Sequence, residues 1–226
     1  MMLSPAQTAA AAVLGGLLAL DGTSVGQLMV SRPFVAAALG GALVGHPAQG
    51  MAAGVVLEAL HLAVLPVGAS RYPEGGPAGV AAGAVYAAAH PAPAAASATL
   101  LIAVLCALAL EWVGGRTVVA LRQANVRFAG APAEGLTPGG LARRHGTPVA
   151  LDFLRGAALA LLGVLGIGAL AAVAADLSGF PEVEAGTVVR LAAVAGIASA
   201  LRLFGRANYP LFLAGGAAGA LVAWLR

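Results

Sequence analysis

The stretch VALDFLRGAALALLGVLGIGALAAVAA, residues Val149 to Ala175, holds one acid (Asp152) and one base (Arg155), both near its start. A helix needs ~20 mainly apolar residues to cross the hydrocarbon of a bilayer. This run meets that length alone, and so does Ala94 to Trp112. Val188 to Phe204 and Leu211 to Leu225 are shorter runs of the same kind, and Thr8 to Leu20 opens the chain with another. No basic residue precedes that first run. A cleaved secretory signal has a basic n-region, so Thr8 to Leu20 reads as a retained membrane segment.

The composition agrees with the runs. Of 226 residues, 60% are hydrophobic and 9% charged, with a mean hydropathy of +0.93. A soluble domain carries roughly 25% charged residues, because its surface must be solvated. The chain therefore reads as an all-α integral membrane protein, one membrane-embedded unit over residues 1–226, built as a multi-spanning helical bundle in a lipid bilayer. All its basic residues are Arg, and the formal charge is +3. That small excess is ordinary for a membrane protein and implies no nucleic-acid partner. The single Cys106 lies in an apolar run, which leaves neither a disulfide framework nor a cysteine metal cluster.

The first third departs from simple spans. Phe34 to Ala69 is almost wholly apolar, yet His46-Pro47-Ala48-Gln49-Gly50 interrupts it, and each piece is too short to cross comfortably. Irregular backbone at membrane depth is tolerated where protein or a watery cavity satisfies it. Gly/Pro-broken apolar segments also mark binding sites in transporters. Short, broken or re-entrant helices are expected here, either lining a cavity or forming a tight hairpin of two tilted helices. Pro33, after Ser31 and Arg32, is placed to start a helix, where its missing N–H is harmless.

Residues 114–148 read as the one sizeable polar connection, with Arg116, Arg122, Arg127, Arg143 and Arg144 against Glu134. An arginine excess marks cytoplasmic loops, so a cytoplasmic basic loop is expected there. Asp176 to Glu184, with three acids and no base, suits the opposite side, and Arg202 and Arg206 suit the cytoplasm again. Gly163-Val-Leu-Gly166 and Gly215-Gly216-Ala-Ala-Gly219 offer small residues for close helix contacts, within a bundle or an oligomer.

Ionisable residues in apolar helix carry the functional reading, because an acid at the bilayer centre costs on the order of 3 kcal/mol by insertion scales. Glu58 is such an acid, and His61 lies three residues on, on the same helical face. Glu58 is expected to bind a polar substrate, to carry protons with His61 as a relay, or to pair with a base. Glu-x-x-His also occurs in carboxylate-bridged metal sites, but those need a second copy, and this chain has one; no metal or other cofactor is expected. A second polar group, Pro66 to Pro77, includes Ser70, Arg71, Tyr72 and Glu74. A third, Asp21 to Gln27, separates the first two apolar runs. Asp152 and Arg155 are spaced to pair in a packing role, and Glu111 and Trp112 are placed as interfacial anchors, as are Tyr209 and Trp224. No nucleophile motif, P-loop or paired metal-ligand spacing occurs, so the chain reads as a non-enzyme.

The polar groups of the first third, in order, resemble a known family. The stretch from Asp21-Gly-Thr-Ser-Val-Gly-Gln-Leu-Met-Val-Ser-Arg-Pro-Phe34 to Gly45, with Gly54-Val-Val-Leu-Glu58 and Leu65-Pro-Val-Gly-Ala-Ser-Arg-Tyr-Pro-Glu74, is similar to the mannose/fructose/sorbose-type IIC permease subunits of the bacterial phosphoenolpyruvate-dependent phosphotransferase system. The likeness is specific from Asp21 to about Val80 and looser at His145 to Arg155 and Arg190 to Asn208. The chain has Gly45-His46 where the family commonly has Gly-Asp, and Pro73-Glu74 where it has Pro-Asp. The resemblance implies a multi-pass sugar-translocating subunit of the bacterial cytoplasmic (inner) membrane. It implies a IID-like membrane partner, and cytoplasmic IIA and IIB partners that phosphorylate the incoming sugar. It implies residues 21–80 as the substrate-lining region and Gln27, Glu58, Gly68, Ser70 and Glu74 as sugar-binding residues. Carboxylates are suitable acceptors for sugar hydroxyls, and buried polar groups left unpaired reject apolar analogues. A proton-coupled permease using Glu58 and His61, and a non-transporting regulatory membrane subunit, are the alternative readings.

Overall fold

The computed structural model describes residues 3–64, 73–90, 93–129, 137–175 and 184–224, and among them every regular element is helical. The helices are α1 (Pro5–Thr23), α2 (Pro33–Ala42), α3 (Pro47–His61), α4 (Gly75–Ala89), α5 (Pro93–Ala129), α6 (Pro138–Ala175), α7 (Ala185–Phe204) and α8 (Tyr209–Trp224), with a 3-10 turn at Arg206–Asn208 before α8. Local chemistry sets several starts. Ser4 and Gln7 form a reciprocal capping box for α1, and α2 and α3 both begin on Pro.

The broken first third takes the form of a hairpin. At ~1.5 Å per residue, the 10 residues of α2 and the 15 of α3 are each shorter than a bilayer core. Between them Gly45 adopts φ +84, while the His46 N–H donates to the Gly41 carbonyl and the Gly45 N–H to Ala42. This is the Schellman pattern that stops a helix, and it needs a residue at ease in the left-handed region. Gly41 and Gly50 then let the two helices touch: a Cβ on Gly41 would stand 2.8 Å from the Gly50 Cα.

Helix α4 is the axis of the bundle. It packs against α1, α2, α3, α5 and α6, and every residue from Gly76 to Ala88 is buried. Its composition explains this, since Ala and Gly on every face let five helices approach. A Cβ on Gly83 would stand 2.1 Å from the Ala37 carbonyl oxygen of α2, and one on Gly40 would stand 2.3 Å from that of Val80. Gly83→Ala therefore has to push α2 off α4. We expect it to destabilise the protein by about 1–3 kcal/mol, as overpacking does, whereas Gly166→Ala, where a Cβ meets nothing within 4 Å, should not. Thermal midpoints of the two detergent-solubilised variants check this.

The distribution of side chains is inverted relative to a water-soluble bundle. Small residues line the inside, while Leu101, Leu105, Trp112, Leu154, Leu162, Leu165, Leu170 and Val173 project outward from α5 and α6. In lipid such a surface needs no cover, and small interior residues supply the close packing. Ser97–Arg127 and Pro138–Ala174 are long and apolar enough to cross a membrane. Helix α7 packs on α3, with Gly196 against the Ala59 carbonyl, and α8 extends from the 3-10 turn with its apolar residues exposed. Gly163 meets Ala81 and Leu110, as its small size requires, but a Cβ on Gly215, Gly216 or Gly219 of α8 would meet nothing within 4 Å among the described residues.

One sequence expectation is corrected. Residues 114–148 are not a long loop: α5 continues to Ala129, and α6 starts at Pro138 and carries Pro148 within it. Arg, Gln, Ala and Leu are good helix formers, so a basic segment beyond an apolar span extends the helix instead of ending it. Arg116, Arg122, Arg127, Arg143 and Arg144 thus ride on two helices around a short connection.

Candidate functional site

The ends of the broken helices meet around a cavity of about 470 Å³. Its wall comes from the end of α1 (Leu18, Asp21, Gly22, Thr23), the connection to α2 (Gln27, Met29, Ser31, Arg32) and Pro33. His61 at the end of α3, Val64, the start of α4 (Pro73 to Gly76) and Arg122 of α5 complete it. This size falls in the range of small-molecule sites, which run from ~300 to 1,000 Å³. A mainly apolar lining with a few convergent polar groups is the usual pattern for such sites.

Asp21 organises the first wall. Buried at the end of α1, it accepts the Leu28 N–H at 2.6 Å and the Ser31 N–H at 2.9 Å, which folds the connection back over it. That path forces positive φ at Gly26, Gln27 and Met29. Gly26 takes this conformation freely, but Gln27 (φ 52) and Met29 (φ 65) pay roughly 1–2 kcal/mol each for a left-handed backbone. Both side chains reach the cavity. Strained residues cluster at ligand sites, where the surrounding structure over-determines them.

Three ion-pair units back the cavity. Arg32 donates from Nε to Glu58 Oε1 at 2.8 Å and from a terminal nitrogen to the same oxygen; the Phe34 N–H reaches Oε2 at 3.4 Å. Arg155 of α6 grips both oxygens of Glu74 and also donates to Asp152 Oδ1, at 2.6 Å from Nη2 and 3.1 Å from Nε. Asp152, fully buried, further accepts the Thr23 and Ser24 hydroxyls through Oδ2. This unit ties α1, α4 and α6 together. Gly114 of α5 makes room for it, since a Cβ there would stand 2.8 Å from the Glu74 side chain. The third unit joins His61 Nε2 to Glu111 Oε2 at 2.9 Å. A second, smaller cavity, of about 370 Å³, shares His61 and Pro73 with the first and includes Glu111, Trp112, Leu60 and Leu108 in its wall.

Gln27 and Glu74 therefore line the cavity; Glu58 is not in its wall but pairs with Arg32, which is. Gly68 and Ser70, like Arg71 and Tyr72, lie outside the described residues. Glu58 and His61 share a helix but not a partner among the described residues: Glu58 binds Arg32, and His61 meets Glu111. Glu111 is not an interfacial anchor; it is 1% exposed. Trp112 beside it does face outward, with the Arg116 guanidinium 4.9 Å from its ring centroid. The Asp152–Arg155 pair exists as its spacing predicts, but its larger role is holding Glu74. The sequence reading missed Arg32, Glu111 and Arg155 as site residues. The rule that intramembrane charges serve a site, applied to every apolar run instead of Glu58 alone, would have found them.

No family model matches the chain, and no curated protein matches it in sequence. Solved structures do match in fold. One, described as the structure of a membrane protein, superposes with a TM-score of 0.72 at 19% identity, over 98% of this chain and 91% of the other. The fold is thus one already seen in a membrane protein, which agrees with two long apolar helices and an outward leucine surface. A second match is a chain from the cryo-EM structure of the mannose transporter ManYZ in complex with a microcin. Its TM-score is 0.52 at 21% identity, over 97% of this chain and 88% of that one.

Proposed function

We propose that the chain is the sugar-translocating, IIC-type membrane subunit of a phosphoenolpyruvate-dependent phosphotransferase permease. The observation that carries this reading is the cavity. Gln27, Ser31, Arg32, His61 and Glu74 converge on one space at the ends of short, broken helices, the arrangement that places a transporter's site at membrane depth. A hexose-like sugar offers hydroxyls that both donate and accept. The carboxylate and guanidinium groups around the cavity replace the water those hydroxyls lose, and an analogue without hydroxyls leaves them unpaired. The residues act by binding and passage; the phosphoryl group comes from IIA and IIB partners on the cytoplasmic side, towards which the arginines of α5 and α6 point in this reading. A IID-like membrane subunit completes the path, and the resemblance of residues 21–80 and the fold shared with a chain of ManYZ both support it.

The test is sugar phosphorylation by sealed vesicles containing this chain, its IID-like partner and the soluble IIA and IIB proteins. We expect accumulation of sugar phosphate that requires both phosphoenolpyruvate and this chain. Uptake driven by a proton gradient without phosphoenolpyruvate would replace this reading with a proton-coupled permease, and no sugar binding by the complex would leave a regulatory subunit.

A further inference from the structure

The second cavity borders the outer surface of the bundle, since Trp112 in its wall is 56% exposed. Leu108, Glu111, Trp112 and Gly115 stand at i, i+3, i+4 and i+7, one face of α5. Leu60 and His61 at the end of α3, with Pro73, complete the wall. The lining is mainly apolar: its acid, Glu111, is 1% exposed and gives an oxygen to His61 at 2.9 Å. Towards the start of α5, Leu105 and Leu101 continue the outward face of Trp112 and Leu108.

A cation stands at the opposite end of this face. Arg116 is exposed, and its guanidinium lies 4.9 Å from the Trp112 ring centroid. No carboxylate pairs with it among the described residues, and α5 carries no acid from Trp112 to Ala129.

We propose that this groove binds an anionic phospholipid, with the phosphate on Arg116 and an acyl chain running past Trp112 and Leu108 along Leu105 and Leu101. The spacing fits such a molecule. Arg116 follows Leu108 by eight positions, about 12 Å of helix at ~1.5 Å per residue. One interfacial layer of a bilayer is only about 5–8 Å thick. A phosphate held at Arg116 therefore leaves Leu108 beside hydrocarbon, with Trp112 between them at the level tryptophans prefer. The guanidinium offers two parallel donors to phosphate oxygens, and the charge of both partners strengthens those bonds. Glu111 lies five positions before Arg116, about 7.5 Å deeper, and so stands clear of the phosphate. A free phosphate ion would use Arg116 and gain nothing from the apolar wall. A sugar would press its hydroxyls against Leu60, Pro73 and Leu108. His61 and Pro73 belong to both walls, so the lipid borders residues that line the first cavity. The site rests on α3, α5 and Pro73, whether or not the first cavity takes a sugar.

Tryptophan fluorescence tests this on the full chain, without sugar. The chain has two tryptophans, so Trp224→Phe protein reports from Trp112 alone. It is reconstituted into vesicles of equal parts phosphatidylglycerol and phosphatidylcholine, with brominated acyl chains, which quench tryptophan on contact, on one lipid or on the other. Composition is the same in both preparations; only the label moves. We expect stronger quenching from brominated phosphatidylglycerol, corresponding to about fivefold tighter association, the factor that one basic residue at a membrane surface gives. Arg116→Gln should make the two preparations equal by removing the charge. Gly115→Leu should do so by filling the groove while Arg116 stays. Equal quenching in the starting protein overturns the proposal and leaves Trp112 to bulk lipid or a partner helix, and that comparison needs no further variant. A preference that survives in Arg116→Gln protein, or in folded Gly115→Leu protein, overturns it equally.

Discussion

Arg155→Ala protein should extract from membranes in much lower yield than wild type, and what extracts should melt far earlier. The guanidinium holds both oxygens of Glu74 and one of Asp152, and all three residues are at least nine-tenths buried. Removing it strands two carboxylates beside each other. Breaking a buried ion pair from one side costs about 3–5 kcal/mol, because the remaining charge is left uncompensated. Two are left here, on helices α4 and α6 that enclose the cavity. Arg155→Lys should fall between, since an ammonium keeps the charge but cannot match the fork of the guanidinium. The check is the thermal midpoint of detergent-purified protein, read by size-exclusion recovery after heating. A wild-type midpoint for Arg155→Ala would mean that the network contributes nothing.

The second large effect is on transport instead of stability. Glu58→Gln should insert normally and lower sugar uptake by roughly tenfold or more, the equivalent of a charged hydrogen bond worth about 1.5–3 kcal/mol. Glu58 is 22% exposed and its partner Arg32 is 40% exposed, so the pair is partly solvated and its loss is tolerated by the fold. What changes is the position of Arg32, which Glu58 holds through Nε and a terminal nitrogen against the cavity. Arg32→Gln should produce the same loss, and combining the two should add little, because they act as one unit. Uptake by vesicles of matched protein content measures it. Wild-type uptake by Glu58→Gln protein would remove Glu58 from the mechanism.

Much of this arrangement is legible in the sequence for local reasons. Composition identifies lipid as the solvent. Pro33 and Pro47 start helices because a missing N–H is harmless there, and the Gly45-His46 break ends α2 through hydrogen bonds within six residues. The Asp152–Arg155 pair follows from helical spacing. What escapes is set at long range. Glu74 meets Arg155 across 81 positions, and His61 meets Glu111 across 50. No period or propensity encodes those meetings; they depend on how closely glycines such as Gly83 and Gly114 allow α4 to approach its neighbours. Glu111 reads as an anchor because it ends an apolar run, and only the continuation of α5 past it puts it inside the bundle. The same continuation dissolves the basic loop read over residues 114–148. Polarity alone cannot separate a loop from a helix that projects beyond its apolar span.

Occupation of the cavity at the ends of the broken helices by sugar is tested by protection of single cysteines from a membrane-permeant thiol reagent, in a Cys106→Ala background. Ser31→Cys places the thiol in the cavity wall, and Gly215→Cys places one on α8, where a Cβ meets nothing within 4 Å among the described residues. With glucose, mannose and fructose as probes, we predict that a sugar phosphorylated by the assembled vesicles slows labelling at position 31 and leaves position 215 unchanged. Labelling at position 31 that ignores a sugar the same vesicles phosphorylate would place the passage elsewhere and contradict the account.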